Sequence, residues 1–217
     1  MANELNIGST FLFGSYIQSS NRKTVKPIEW QILAMYGNIA LVVSKYALDS
    51  KPYNRYNELV SWEDSTLRKW LNNDFLNMAF TVEEQRAILE TEIDNSEYFG
   101  YSDFGPIINN NTKDRVFILS DDEASEYFKD DIARRCGGTP YVISKGASKT
   151  FNAKVDGRPC VLWWLRTLDF TSPHCRSMAK HVEEFGRLDV GYVASYVACP
   201  GICVRPALWI DMASVHF

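Results

Sequence analysis

The chain has 217 residues, 46% of them hydrophobic and 23% charged, and a formal net charge of −4. These are ordinary values for a packed globular protein, and the length fits one domain of residues 1–217 enlarged by loops. With a mild acidic balance and no long Lys/Arg cluster, no nucleic-acid partner is expected. Met1 to Gly8 lacks a basic stretch followed by an apolar core, so no secretory signal is expected there. The apolar runs are far too short to span a bilayer, so no membrane insertion is expected. Five cysteines at irregular spacing argue against a disulfide framework. A cytoplasmic or virion-associated location fits better.

The N-terminal third reads as strands. Thr10 to Ile17 is aromatic and β-rich, and Ile28 to Leu33 roughly alternates apolar and polar residues. Ile39 to Val43 is a short apolar run, and Gly37-Asn38 supplies turn chemistry for a hairpin between these two. Helices follow. From Ser65 to Asn72, Leu67, Trp70 and Leu71 share one face. Thr81-Val-Glu-Glu84 and Ser120-Asp-Asp-Glu123 are capping boxes, opening helices to about Leu89 and Phe128. Arg115 to Leu119 reads as a strand. Residues 94–113 and 130–159 are rich in Asn, Gly, Ser and Pro and read as loops. Cys160 to Arg166 and Val204 to Ile210 read as C-terminal strands, and Pro206 implies an edge or a bulge because it cannot donate to a ladder.

Between those last two strands lies an unusual filling. It holds two of the three His and three of the five Cys, together with Arg, Asp and Tyr. On adjacent strand positions, Trp163 and Trp164 should point to opposite faces, one into the core and one partly exposed. Arg166 and Arg205 should hold loop carbonyls with their forked donors. Zinc binding by His174, Cys175, His181, Cys199 and Cys203 is disfavoured by the spacing, so no metal is expected. No phosphate loop, nucleophile elbow or zinc-protease motif occurs.

The segments Glu29-Trp-Gln-Ile-Leu33, Ala40 to Leu48, Trp62-Glu-Asp-Ser-Thr-Leu-Arg68, Phe117 to Glu123, Trp163-Trp-Leu-Arg166 and Arg205-Pro-Ala-Leu208 follow one another in order. Together they resemble a largely uncharacterised bacterial and phage domain family related to the formylglycine-generating-enzyme branch of the C-type-lectin-like fold. The resemblance implies an α+β, C-type-lectin-like mixed fold with long irregular loops. It brings no calcium or sugar site, because the Glu-Pro-Asn, Gln-Pro-Asp and Trp-Asn-Asp signatures of such sites are missing. Some members resemble the variable proteins of diversity-generating retroelements, in which a reverse transcriptase copies a template with errors at adenines. Asn codons of the AAC type then yield many residue types but never Lys, Glu, Gln, Met or Trp.

That resemblance implies a ligand-binding region over residues 168–203, without a cofactor and without catalysis. The expected ligand-binding residues are Asp169, Phe170, His174, Cys175, Arg176, His181, Arg187, Asp189, Tyr192, Ser195, Tyr196, Cys199 and Cys203. Tyr192, Tyr196, Phe170 and Arg176 are the expected anchors of an unidentified protein or other macromolecular partner. Trp163, Trp164, Arg166, Arg205 and Pro206 form the structural frame. Met178, Lys180, Glu183 and Glu184 lie outside the codon set and would be fixed positions. Two alternatives stand beside this reading. One is a copper or thiol oxidase of the formylglycine-generating type using Cys199 and Cys203. The other is an interaction domain that is not diversified.

Overall fold

The structure, a computed structural model, describes residues 5–95, 100–102, 105–107, 110–169, 178–188 and 194–215. It is a mixed, sheet-rich α+β body. The first sheet is antiparallel throughout and runs Thr10–Ile17, Val25–Tyr36, Ile39–Ser44, Ala207–Asp211. The N-terminal strands are thus closed by a strand from the far end of the chain. The hairpin turn forms at Gly37, whose φ of 61° is one that a side chain would resist.

A second sheet orders Lys149–Val155, Arg158–Val161, Gly137–Gly138 and Tyr46–Ala47. A third orders Ala194–Tyr196, Met178–Val182, Trp163–Leu168, Cys203–Val204 and Asp49–Ser50. One continuous hydrophobic cluster, from Phe11 to Val215, packs the sheets against the helices. No helix among the described residues is long and apolar enough to cross a membrane.

The two C-terminal strands differ from expectation in the same way. Cys160 to Arg166 splits at Leu162, with Arg158–Val161 in the second sheet and Trp163–Leu168 in the third. Val204 to Ile210 splits at Arg205 and Pro206, with Cys203–Val204 in the third sheet and Ala207–Asp211 in the first. Pro206 therefore marks a sheet-to-sheet crossing. Its missing N–H is needed by no ladder there, while its carbonyl accepts from Ser44 N at 2.8 Å.

The expected strand at Arg115 to Leu119 is an isolated bridge from Phe117 to Ala207. Its backbone groups are satisfied mainly by non-ladder partners. Asn72 Oδ1 accepts from Arg115 N at 2.8 Å and Val116 N at 3.2 Å, and Leu119 O accepts from Arg166 N at 2.9 Å. The two expected loops also carry structure. Residues 94–113 include a hairpin of Gly100–Ser102 with Gly105–Ile107, followed by the strand Thr112–Asp114. Residues 130–159 include the helices Asp131–Arg134 and Pro140–Ser144, Gly137–Gly138 and the strand Lys149–Val155. Asp130 and Thr139 cap those two helices, their side chains accepting from Ala133 N and Val142 N.

Both capping boxes form as the sequence predicts, at Thr81 and at Ser120. The helix that begins after Ser65 runs past Asn72 to Ala79 with a π turn at Leu71–Phe75. The Trp62 to Arg68 motif has a buried target. Asp114 accepts from Trp62 Nε1 at 3.0 Å, Arg68 Nε at 2.6 Å and Thr112 Oγ1 at 2.8 Å. Asp114 is 1% exposed, so these donors compensate a charge taken out of water.

Candidate surface at the end of the five-stranded sheet

The segment from 168 to 203 starts and ends on neighbouring strands. Trp163–Leu168 is buried at every position, and Trp163 pairs in parallel with Cys203. Trp163 and Trp164 are both fully buried, which corrects the expectation that one is partly exposed. Their strand is central in its sheet, and both faces are covered. Trp163 packs against Phe128 and the Arg205 guanidinium, while Trp164 packs against Tyr53 and His181. Each indole N–H is satisfied, Trp163 donating to Arg134 O at 3.2 Å and Trp164 to Lys51 O at 2.9 Å.

The two frame arginines are buried and differently compensated. Arg166 forms a two-pronged pair with Glu123, with Nη2 to Oε1 at 2.9 Å, and also donates to Asn95 Oδ1 at 3.1 Å and Ile118 O at 3.2 Å. Arg205 donates to Ser44 O at 2.9 Å and Arg134 O at 3.2 Å. Its guanidinium lies 5.0 Å from the ring centres of both Phe128 and Trp163. Desolvation pulls the Arg205 pKa down from its ordinary value.

The register brings some expected site residues together. Met178 pairs with Tyr196, and Ala179 sits between Leu168 and Ser195. Asp169 N donates to Met178 O at 2.9 Å, so Asp169, Met178 and Tyr196 form a row across three strands. Tyr196 is 54% exposed, and Asp169, Met178 and Ser195 are half-buried. Lys180, two residues along from Met178, is ion-paired to Asp121 at the start of the Asp121–Tyr127 helix. Arg187 is exposed but lies beyond the other end of the Met178–Val182 strand. Four residues at strand rise separate the two ends by about 13 Å.

Two expected ligand-binding residues are corrected. His181 is 5% exposed and Cys203 is fully buried, because His181 shares the covered face of its strand with Ala179 and the short Cys203–Val204 strand is buried at both positions. Burial alone lowers the His181 pKa from 6.5 to about 4, and its Nδ1 has no hydrogen-bond partner. Desolvation pushes the Cys203 thiol well up, the reverse of what a reactive thiolate needs. Cys199 is a free, half-buried thiol packed against the core. Phe170, His174, Cys175, Arg176, Asp189 and Tyr192 lie outside the described residues. Among the described residues, no group of three or more His, Cys, Asp or Glu is arranged to hold a metal ion.

Sequence reasoning missed two partners of the frame, Glu123 on Arg166 and Arg134 on Trp163 and Arg205. Glu123 was legible as a capping residue, and nothing local shows that its carboxylate also reaches Arg166. The matching family model spans residues 37–212, from the Gly37 hairpin turn to the residue after the closing strand. The chain belongs to the DUF6273 family. That family is described as a domain of unknown function. The DUF6273 segment takes in the whole third sheet, both frame arginines and the Asp169–Met178–Tyr196 row. No curated protein and no solved structure matches the chain.

Proposed function

We propose that this protein is a non-enzymatic binding module, the variable protein of a diversity-generating retroelement, with a C-type-lectin-like body. The observation that carries the reading is the contrast at the third sheet. The Asp169–Met178–Tyr196 row is solvent-accessible, and beside it in the same sheet the Trp163–Leu168 strand is buried at every position. A surface that must change its side chains without unfolding needs such a fixed neighbour, because surface substitutions away from buried networks change stability little. Asp169 and Tyr196 belong to the residue set reachable from AAC codons. Met178 does not, and it serves as a fixed, adaptable apolar contact between them.

The partner is a protein or another macromolecular surface, engaged through Tyr196 as an aromatic anchor. The oxidase alternative asks Cys199 and Cys203 for a reactive thiolate, and the buried, raised Cys203 thiol weighs against it. The test is a displayed library varied at Asp169, Ser195 and Tyr196 and sorted against two unrelated proteins, lysozyme and streptavidin. The proposal expects folded clones specific for each target. A library that stays folded yet yields no specific clone for either would contradict it.

A further inference from the structure

The segment that carries the row is held a second time, at the opposite end of its sheet. After Val182 the chain makes a turn in which Gly186 N donates to Glu183 O at 2.8 Å and Glu183 N donates to Arg187 O at 3.2 Å. Gly186 has a φ of 88°, and a Cβ there would stand 1.7 Å from Asp131 O. Only glycine fits that approach. Arg134, the last residue of the neighbouring helix, and Arg135, just after it, clasp the turn. Arg134 Nε donates to Gly186 O at 2.9 Å, and Arg135 Nε donates to Phe185 O at 3.2 Å. Arg134 is itself tied to the frame, since its carbonyl accepts from Trp163 Nε1 and from Arg205 Nη1, each at 3.2 Å.

We infer that Gly186, Arg134 and Arg135 form a fixed anchor at the turn after Met178–Val182, which holds that strand in register while the Asp169–Met178–Tyr196 end varies. Arg134 and Arg135 are positioning residues in this account. They act through Gly186 and Phe185, and they place the strand Met178–Val182 against the frame. Arg187 contributes its carbonyl to the anchored turn, accepting from Glu183 N. The inference takes its functional meaning from the binding reading above. Its test reads the fold alone, so the two fail separately. If the segment binds nothing, the exchange result below is unaffected. If the anchor fails, the binding reading stands.

The experiment is amide hydrogen exchange on the full chain and on Gly186→Ala, Arg134→Gln and Arg135→Gln. The expected result is exchange faster by about tenfold or more at Glu183 and Gly186, with Val25–Ser44 within about twofold of the parent. Arg135→Gln removes only the weaker clasp and stays informative if the other two fail to fold. Unchanged exchange at the turn in all three variants would overturn the inference. So would an increase shared equally by Val25–Ser44, because that would make the arginines general stabilisers. A display library randomised at Gly186 and at Tyr196, sorted for protease resistance alone, gives a second readout. Glycine should be recovered at 186 and a broad set at 196; equal breadth at both positions would also overturn it.

Discussion

Burial of His181 makes the fold sensitive to mild acid in a way that one substitution should abolish. The imidazole is held neutral by desolvation, with its pKa lowered from 6.5 to about 4. Between those values the unfolded chain takes up a proton that the folded chain refuses, so stability falls as pH falls through this window. That difference corresponds to roughly 3 kcal/mol in full, most of which is lost by about pH 4.5. His181→Leu is close in volume and cannot titrate. At neutral pH it should cost little or stabilise slightly, because it also removes the unpartnered Nδ1. Urea unfolding of both forms at neutral pH and at about pH 4.5 supplies the double difference. Carboxylates titrating over the same range contribute to both forms and cancel. The parent should lose roughly 2–3 kcal/mol more than the variant on acidification. Equal losses would refute the reasoning, and would mean that the folded protein accommodates a charged imidazole.

Glu123→Gln should destabilise by about 3 kcal/mol in urea unfolding, because it leaves the buried Arg166 charge without its partner, and adding Arg166→Met should recover part of the loss. Trp62→Phe removes a donor to the buried Asp114 carboxylate and should cost about 1–2 kcal/mol by the same measurement. Tyr196→Ala should change stability by no more than about 0.5 kcal/mol while abolishing binding in any selected clone that keeps Tyr196. A thiol reagent applied to the native protein should modify half-buried Cys199 well before Cys203, as read by peptide mass spectrometry. Equal rates would mean that the Cys203 strand opens readily.

Local chemistry was legible where one short stretch contains both partners. The boxes Thr81 to Glu84 and Ser120 to Glu123 close within a single turn, and the Gly37 hairpin needs only its own backbone. Asp130 and the Thr139-Pro140 pair carried equally local cap signals, and the density of Gly and Pro around them masked two short helices. Strand ends were not legible where the chain changes sheets. Leu162 and Arg205 are as compatible with a strand as their neighbours, and only the position of the next sheet decides where pairing stops. Arg115 to Leu119 has a strand composition, yet Asn72 from a distant helix takes its first amides.

The candidate site was legible in part for a related reason. Residue type pointed to Asp169, Ser195 and Tyr196 and equally to His181 and Cys203, because a permitted codon carries no information about burial. Burial separates them, placing His181 on the covered face of its strand and Cys203 in the interior. The contribution of Arg134 was invisible in sequence. Its role comes from a carbonyl shared by Trp163 and Arg205 and from a side chain that meets Gly186, residues far from it along the chain.

The most direct test of the account is the DNA flanking the gene. Sequencing it should reveal, beside a reverse transcriptase, a near-copy of the stretch encoding roughly Val161 to Ala207. The two copies should differ mainly at adenines, at codons that include those of Asp169 and Tyr196 and exclude those of Met178 and Gly186. A flank with no such copy, or a copy whose differences fall on the codons of Gly186 and the buried frame, would contradict it.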